Sequence, residues 1–290
     1  MLSRRQFLHL SLLAGAAWLA GCSSDDAAQP REAQSSGLAL TQPIYWPGDE
    51  RIAAWLQGAE TTYDASFSPQ ITAPRLAEVA TEVQTGVAAP LAAAADHYIQ
   101  RLILYDPESL VKVKFVATFS PHVLAADVSC PIKMLRSSQL AAIAESNAGR
   151  RWWAQSAPIK VDVAGCGAGD APDFTMPANP LRVRFQGIEA AAGSADRALV
   201  RLEARLHHPM TSGLHIDEAG NVTRTSEPFF VQRLVASYGG QPLADFELTP
   251  GISENPVFSF VMPRLGNEPV SVAVVNNAGQ EFSLNALIAV

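Results

Sequence analysis

The sequence predicts an all-β protein with two β-sandwich domains, and three observations carry that prediction. Short segments with apolar residues at every second position recur along the chain. Gly, Pro, Asn or Asp bounds these segments, as is typical of short strands joined by turns. A stretch rich in glycine and proline divides the segments into two groups.

The period-two pattern predicts eight strands: Val111–Phe115, Ile159–Val163, Leu181–Phe185, Leu199–Leu206, Phe230–Tyr238, Val257–Met262, Val270–Val275 and Glu281–Leu287. Asn147–Gly149 and Asn276–Gly279 are predicted hairpin turns, because Asn and Gly tolerate a positive φ. Helix propensity is high over Ala73–Ala95, but Pro90 would interrupt a helix and the context is all-β, so strands are predicted there.

The predicted domain boundary follows the strand that ends at Val163. Residues 164–180 contain three glycines and three prolines, so they are predicted to form a loop and linker, named here the cysteine loop. The boundary leaves a first domain over residues 43–163 and a second over 181–290. Each is near the usual size of a sandwich domain.

Composition limits the class of protein. The 290 residues are 48% hydrophobic, which is enough for packed cores and excludes wholesale disorder. The formal net charge is −7, and a surface that binds phosphate needs positive charge, so nucleic acid is not expected as a partner. Three cysteines are too few for a disulfide scaffold, so each needs its own explanation.

The start of the chain has the features of an export signal. Ser3–Leu8, with its two arginines, resembles the twin-arginine signal of bacteria, and an apolar run too short to span a bilayer comfortably follows it. Leu19–Cys22 resembles the lipobox of bacterial lipoproteins. The resemblance implies a signal peptide over residues 1–21 and lipid attachment at Cys22. The mature protein is then expected in the periplasm, anchored to the inner or outer membrane.

Two short regions follow this signal. Residues 22–42 are polar and small without periodicity, which predicts a flexible tether. Asp49–Gln57 is predicted to form a short helix with Asp49 as its cap.

Cys166 is the cysteine whose surroundings suggest chemistry. It lies among Gly165, Gly167 and Gly169, which remove side-chain bulk and free the backbone, so the thiol could enter a narrow active site. With an ordinary pKa of about 8.5, a few per cent of the thiol is ionised near neutral pH, which is enough for covalent loading. The spacing leaves a disulfide with Cys130 or an inert thiol equally open.

The residues around Cys166 resemble a known carrier. Ile159–Gly169 is similar to the end of SoxY, the sulfur-carrying subunit of the SoxYZ family, where a strand leads into a Gly-Gly-Cys-Gly-Gly arm. Further segments resemble SoxY strands: Asp96–Leu104, Val113–Pro121, Met134–Glu145 and the pair Trp152-Trp153. After the loop, two segments resemble the partner subunit SoxZ: His208–Gly213, with its His-Pro-Met-x-x-Gly motif, and Gly251–Phe260.

The resemblance implies both architecture and function. Each domain would be an immunoglobulin-like sandwich, SoxY-like before the loop and SoxZ-like after it. Cys166 would be conjugated oxidatively to thiosulfate or another small sulfur compound by a c-type cytochrome, and other sulfur-oxidation enzymes would process the cargo. The carrier itself would be no enzyme and would need no metal or cofactor.

This chain departs from the family in two ways, and alternatives stay open. The two subunits are fused, which gives them a high effective concentration. The cysteine arm is internal, so a partner would need a cleft that is open at the side. One alternative is a carrier or relay associated with a quinoprotein dehydrogenase. Another is a non-catalytic structural lipoprotein with a Cys130–Cys166 disulfide, and a thiol oxidoreductase would need Cys130 as its resolving cysteine.

The other candidate groups are predicted to be structural. Cys130, at or near a strand, is predicted to be a small core residue. His207, His208 and His215 lie near one another, but adjacent residues of a strand point to opposite faces, so no metal site is predicted. The sequence contains no G-x-S-x-G, H-E-x-x-H or C-x-x-C pattern, so hydrolase, zincin and thioredoxin-like functions lack support.

Overall fold

A computed structural model describes residues 67–89, 98–123, 126–162, 176–188, 199–216 and 221–288. These residues form strands, turns and loops without any helix, which confirms the all-β prediction. They accordingly include no helix with the length and apolarity needed to cross a membrane. The predicted signal peptide, tether and helix at Asp49–Gln57 lie outside the described residues.

The described part of the chain contains 18 strands. Those before the cysteine loop are β1 Gln70–Thr72, β2 Leu76–Ala77, β3 Val83–Ala89, β4 Ile99–Tyr105, β5 Val113–Phe119, β6 Ala126–Ile132, β7 Ala141–Ser146, β8 Arg151–Gln155 and β9 Lys160–Val161. Those after it are β10 Leu181–Ile188, β11 Leu199–Leu206, β12 Leu214–Ile216, β13 Val222–Arg224, β14 Val231–Tyr238, β15 Gln241–Leu248, β16 Val257–Pro263, β17 Val270–Asn276 and β18 Glu281–Ala286.

Two large sheets contain most of these strands. The eight-stranded sheet has the order β18-β17-β14-β15-β5-β4-β7-β8, and the six-stranded sheet has the order β1-β3-β6-β16-β11-β10. Each half of the chain therefore gives four strands to one sheet and three to the other. This is the arrangement of an immunoglobulin-like sandwich, so the fold prediction is confirmed. Two small sheets, β12-β13 and the parallel pair β2-β9, complete the described strands.

The two sandwiches are joined through both large sheets. Strand β5 pairs antiparallel with β15 from Phe115↔Leu248 to Phe119↔Ala244. Strand β6 pairs antiparallel with β16 at Ser129↔Ser259 and Val128↔Phe260. Backbone hydrogen bonds thus continue from one half into the other, and the halves form one unit.

The core is also continuous between the halves. The Phe246 ring lies at its centre, with ring centroids 6.4 Å from Phe115, 6.2 Å from Phe119 and 5.4 Å from Phe260. Phe115 and Phe119 come from the first half, and Phe246 and Phe260 come from the second. All four rings are buried, with Phe119 the most exposed at 3%. Large buried aromatic surfaces at the boundary strongly favour association of the halves.

The local predictions are mostly confirmed. Within the described part of Ala73–Ala95 the chain forms β2 and β3, so tertiary context overrides helix propensity. The turn at Asn147–Gly149 joins β7 to β8 with Gly149 at φ 76°, and Asn276–Gly279 joins β17 to β18 with Gly279 at φ 78°.

Candidate functional site

The base of the cysteine loop is the part of the candidate site that the structure describes. Cys166, Gly165, Gly167 and Gly169 lie outside the described residues, as does Cys22, so their roles stay predictions. The chain is described up to Asp162 and again from Met176. The contacts at these two ends determine where the loop leaves the body and where it returns.

The entry strand β9 is fixed to the body by its backbone. The Lys160 amide donates to the Arg75 carbonyl at 2.9 Å, and the Asp162 amide donates to the Ala77 carbonyl at 3.0 Å. The Val161 amide donates to Ser137 Oγ at 3.0 Å, and the Val161 side chain is buried. The predicted strand Ile159–Val163 is observed as the shorter strand β9, Lys160–Val161. The backbone is nevertheless anchored as far as Asp162.

A buried polar network is hydrogen-bonded to the residue that precedes β9, Ile159. Ser138 and Ile159 exchange both backbone hydrogen bonds, at 2.9 and 3.1 Å. The Ser138 hydroxyl donates to Asp106 Oδ1 at 2.7 Å, and Asp106 Oδ2 lies 3.8 Å from Lys114 Nζ. Asp106 is 1% exposed and Lys114 is fully buried. The charge of Lys114 is thus neutralised inside the protein and linked to the strand that enters the loop.

Lys114 Nζ fills its hydrogen-bonding capacity. It donates to Ser109 Oγ at 2.9 Å, to the Val111 carbonyl at 3.0 Å and to the Lys133 carbonyl at 2.7 Å. A buried ammonium needs such partners, because water cannot reach it.

Lys133 connects this network to the second half of the chain. Its amide donates to the Gly251 carbonyl at 2.8 Å, and its Nζ donates to the Met210 carbonyl at 2.5 Å. Burial lowers the pKa of Lys133 to about 8; the nearby Lys114 charge lowers it further and Glu254 opposes the change. A Cβ at Gly251 would lie 2.9 Å from Lys114 Cδ, so glycine allows the halves to approach this closely.

The two SoxZ-like motifs meet at this junction. The His208 amide donates to Asn255 Oδ1 at 3.1 Å, and the Asn255 amide donates back to the His208 carbonyl at 2.8 Å. His208 Nδ1 accepts from the Met210 amide at 3.2 Å, and its ring lies 4.5 Å from the Phe229 ring. Burial lowers the pKa of His208 to about 4, so the imidazole is neutral at physiological pH. His208 thus stabilises the backbone of its own motif, His208–Gly213, through these hydrogen bonds.

The same region holds the return end of the cysteine loop. The His207 amide donates to the Pro180 carbonyl at 2.8 Å, one residue before β10. Across the part of the chain that the structure describes, no three His, Cys, Asp or Glu side chains are grouped as metal ligands.

Cys130 is a core residue, as predicted. It is 2% exposed on β6, and its thiol is free. Burial raises the pKa of Cys130 to about 12, so the thiol is protonated at physiological pH. These properties argue against Cys130 as a resolving cysteine.

Comparisons with known proteins match each half separately. Residues 54–166 match the family of sulfur oxidation protein SoxY, and residues 188–286 match that of sulphur oxidation protein SoxZ. The first match ends at Cys166 itself.

Distant likenesses to solved structures accompany these matches. The sulfur carrier protein SoxY from Chlorobium limicola f thiosulfatophilum is 20% identical over 39% of this chain and 94% of that one, with a TM-score of 0.33. A superoxide reductase (neelaredoxin) from Ignicoccus hospitalis is 26% identical over 33% of this chain and 80% of that one, with a TM-score of 0.29. No curated protein matches the chain.

The fold and the two matches define a two-domain immunoglobulin-like protein with a cysteine at the end of its first domain. The chain contains a SoxY domain and a SoxZ domain in one polypeptide, which is consistent with a fused SoxYZ protein. The SoxY and SoxZ families comprise sulfur carriers and their partner proteins.

Proposed function

We propose that this protein is a periplasmic carrier that binds sulfur-oxidation intermediates covalently at Cys166 and presents them to partner enzymes. One observation carries the proposal: the SoxY match ends at Cys166, four residues beyond the anchored residue Asp162. In the proposed carrier, these four residues act as a short tether between the thiol and the body of the first domain.

The proposed loading step is an oxidation. The Cys166 thiol loses its proton, its sulfur bonds to the outer sulfur of thiosulfate, and two electrons pass to a c-type cytochrome. A partner hydrolase then adds water, releases sulfate and leaves a persulfide on Cys166. In both steps the partners supply the catalysis. Oxidative conjugation suits the periplasm, where no strong thiol reductant pool keeps cysteines free.

The proposal includes the location of the protein. A lipid on Cys22 would hold it at the membrane, and residues 22–42 would allow the carrier domains to move away from the lipid surface. Acyl chains contribute roughly 0.8 kcal/mol per buried CH₂, so a lipid with several chains anchors firmly.

Intact-mass spectrometry tests the carrier proposal directly. Protein purified without reductant from thiosulfate-grown cells should carry an adduct that dithiothreitol removes. Cys166→Ser should abolish both the adduct and thiosulfate oxidation by a purified system, whereas the control Cys130→Ala should keep both. Unchanged thiosulfate oxidation in Cys166→Ser would refute the proposal. A Cys130–Cys166 disulfide, two hydrogens lighter and without adduct, would favour a structural lipoprotein instead.

A further inference from the structure

An exposed apolar surface lies beside the base of the cysteine loop. Four large hydrophobic side chains are exposed among the described residues, and two of them, Leu76 and Val79, lie three positions apart. They are 50% and 54% exposed. Single exposed hydrophobic residues are ordinary, but neighbouring ones that line a depression often mark an interaction surface.

Burial and hydrogen bonds fix the backbone of this surface. Ala77 and Ala80 are buried, whereas Leu76 and Val79, each one position before a buried alanine, are exposed. The Glu82 amide donates to the Val79 carbonyl at 3.1 Å, which closes a turn.

Neighbouring elements hold the same segment in place. The Met134 amide donates to the Ala80 carbonyl at 2.8 Å, and Leu76 lies opposite Lys160 in the β2-β9 pair. An open depression of about 550 Å³ extends along residues 72–84, with both apolar side chains in its wall.

The border of the surface is charged. Exposed Arg75 and Glu78 precede Leu76 and Val79 in sequence, and exposed Lys160 lies opposite Leu76 on β9. An apolar centre with a polar border is the usual composition of a protein–protein interface. The mixed signs of the border charges fit a protein surface better than a purely anionic ligand.

The length of the tether places a partner over this surface. Cys166 lies four residues after Asp162, so an extended chain reaches about 14 Å from that anchor at ~3.3–3.6 Å per residue. A typical interface covers ~800 Å² on each partner, equivalent to a disc of about 16 Å radius. A partner whose active site holds the Cys166 thiol therefore lies close enough to cover β2 and the turn at Val79.

We propose that Leu76 and Val79 form the docking surface for the redox protein that loads Cys166. That partner would present a rim with a matching apolar centre around a narrow active-site entrance. The inference rests on the proposed carrier function, because it uses Cys166 as the point that the partner must reach. Docking at this surface positions the Cys166 thiol at the partner's active site.

A double substitution tests the surface. Leu76→Ser/Val79→Ser in the mature protein should weaken its loading by the purified c-type cytochrome partner. At saturating thiosulfate, kcat/KM with the carrier as the varied substrate should fall roughly tenfold, or about 1.4 kcal/mol. The matched control is Leu265→Ser/Leu287→Ser, which removes two side chains that are 42% and 65% exposed in the second domain. The control should load as fast as the wild type.

Reaction of Cys166 with Ellman's reagent provides a second readout, because this small molecule needs no docking. Its rate should be the same in the wild type and both variants. Equal loading of the docking variant and the wild type would overturn the docking proposal, as would an equal loss in the control. A slower Ellman reaction in the docking variant would also overturn it, since the change would then act on the loop. Failure of the cytochrome to load the wild type would instead refute the carrier function itself.

Discussion

Lys114 offers the most stringent test of the buried polar network of the first domain. Its ammonium is fully buried, lies 3.8 Å from Asp106 Oδ2 and makes hydrogen bonds to Ser109, Val111 and Lys133. Lys114→Met keeps most of the side-chain volume but leaves the Asp106 carboxylate buried without its cation. Breaking a buried pair in this way costs about 3–5 kcal/mol.

A second substitution separates the charge from the packing. Asp106→Asn removes the remaining buried charge, and its amide oxygen can still accept from the Ser138 hydroxyl, which lies 2.7 Å from Asp106 Oδ1. Because the uncompensated carboxylate causes most of the loss, Lys114→Met/Asp106→Asn should recover more than half of it. The double variant is therefore expected to be more stable than Lys114→Met alone.

Urea denaturation measures both effects. The urea concentration at the midpoint of unfolding should fall strongly in Lys114→Met, whereas the dependence of the unfolding free energy on urea concentration should stay unchanged. The midpoint should rise again in the double variant. A loss below about 1 kcal/mol for Lys114→Met would show that the buried ion pair contributes little. Simple addition of the two single losses would contradict the proposed coupling between Lys114 and Asp106.

Three further predictions concern separate parts of the molecule. Gly213 has φ 69°, and a Cβ there would lie 2.1 Å from a backbone oxygen, so Gly213→Ala should cost more than about 2 kcal/mol in urea denaturation. The control Gly149→Ala, at φ 76° with no atom within 4 Å, should cost about 1 kcal/mol; equal losses would contradict the steric explanation. The folded-state pKa of His208 is lowered to about 4, so stability should fall as pH drops from about 6.5 towards 4, by up to about 1.4 kcal/mol per pH unit. His208→Asn should flatten this slope in thermal melts at several pH values, and an unchanged slope would assign it to other groups. Because burial raises the pKa of Cys130 to about 12, the Cys130 thiol should react with Ellman's reagent at pH 8 only after unfolding. Rapid reaction of the folded Cys166→Ser variant would refute the burial of Cys130.

The sequence was most informative where side-chain pattern and local geometry agree. Alternation of apolar residues predicted six of the nine described strands after the cysteine loop but missed β12, β13 and β15. The Asn and Gly signals predicted the turns at Gly149 and Gly279. Both features depend on a few neighbouring residues, since period-two burial and positive φ are local properties. The burial of Cys130 also followed from the general preference of cysteine for the core.

The buried network could not be predicted, because it depends on an irregularity between two strands. Alternation over Val111–Phe115 places Lys114 on the same face as exposed Lys112. The register between β4 and β5 shifts at Leu104/Tyr105, so that Leu104 pairs with Phe115 and Tyr105 pairs with Val113. Lys114 is the extra residue at this bulge, and its side chain is buried. No local signal in the sequence distinguishes Lys114 from Lys112.

The fusion changes how the carrier arm can work. Backbone pairing of β5 with β15 and of β6 with β16 joins the two domains in addition to the covalent connection. Its main consequence is that the arm is held at both ends. On the entry side Cys166 follows Asp162 by four positions, about 14 Å when extended, whereas on the return side Met176 follows Cys166 by ten positions, about 35 Å. In the proposed carrier, the short entry side would limit the reach of the thiol, and the longer return side would let the cysteine approach a partner.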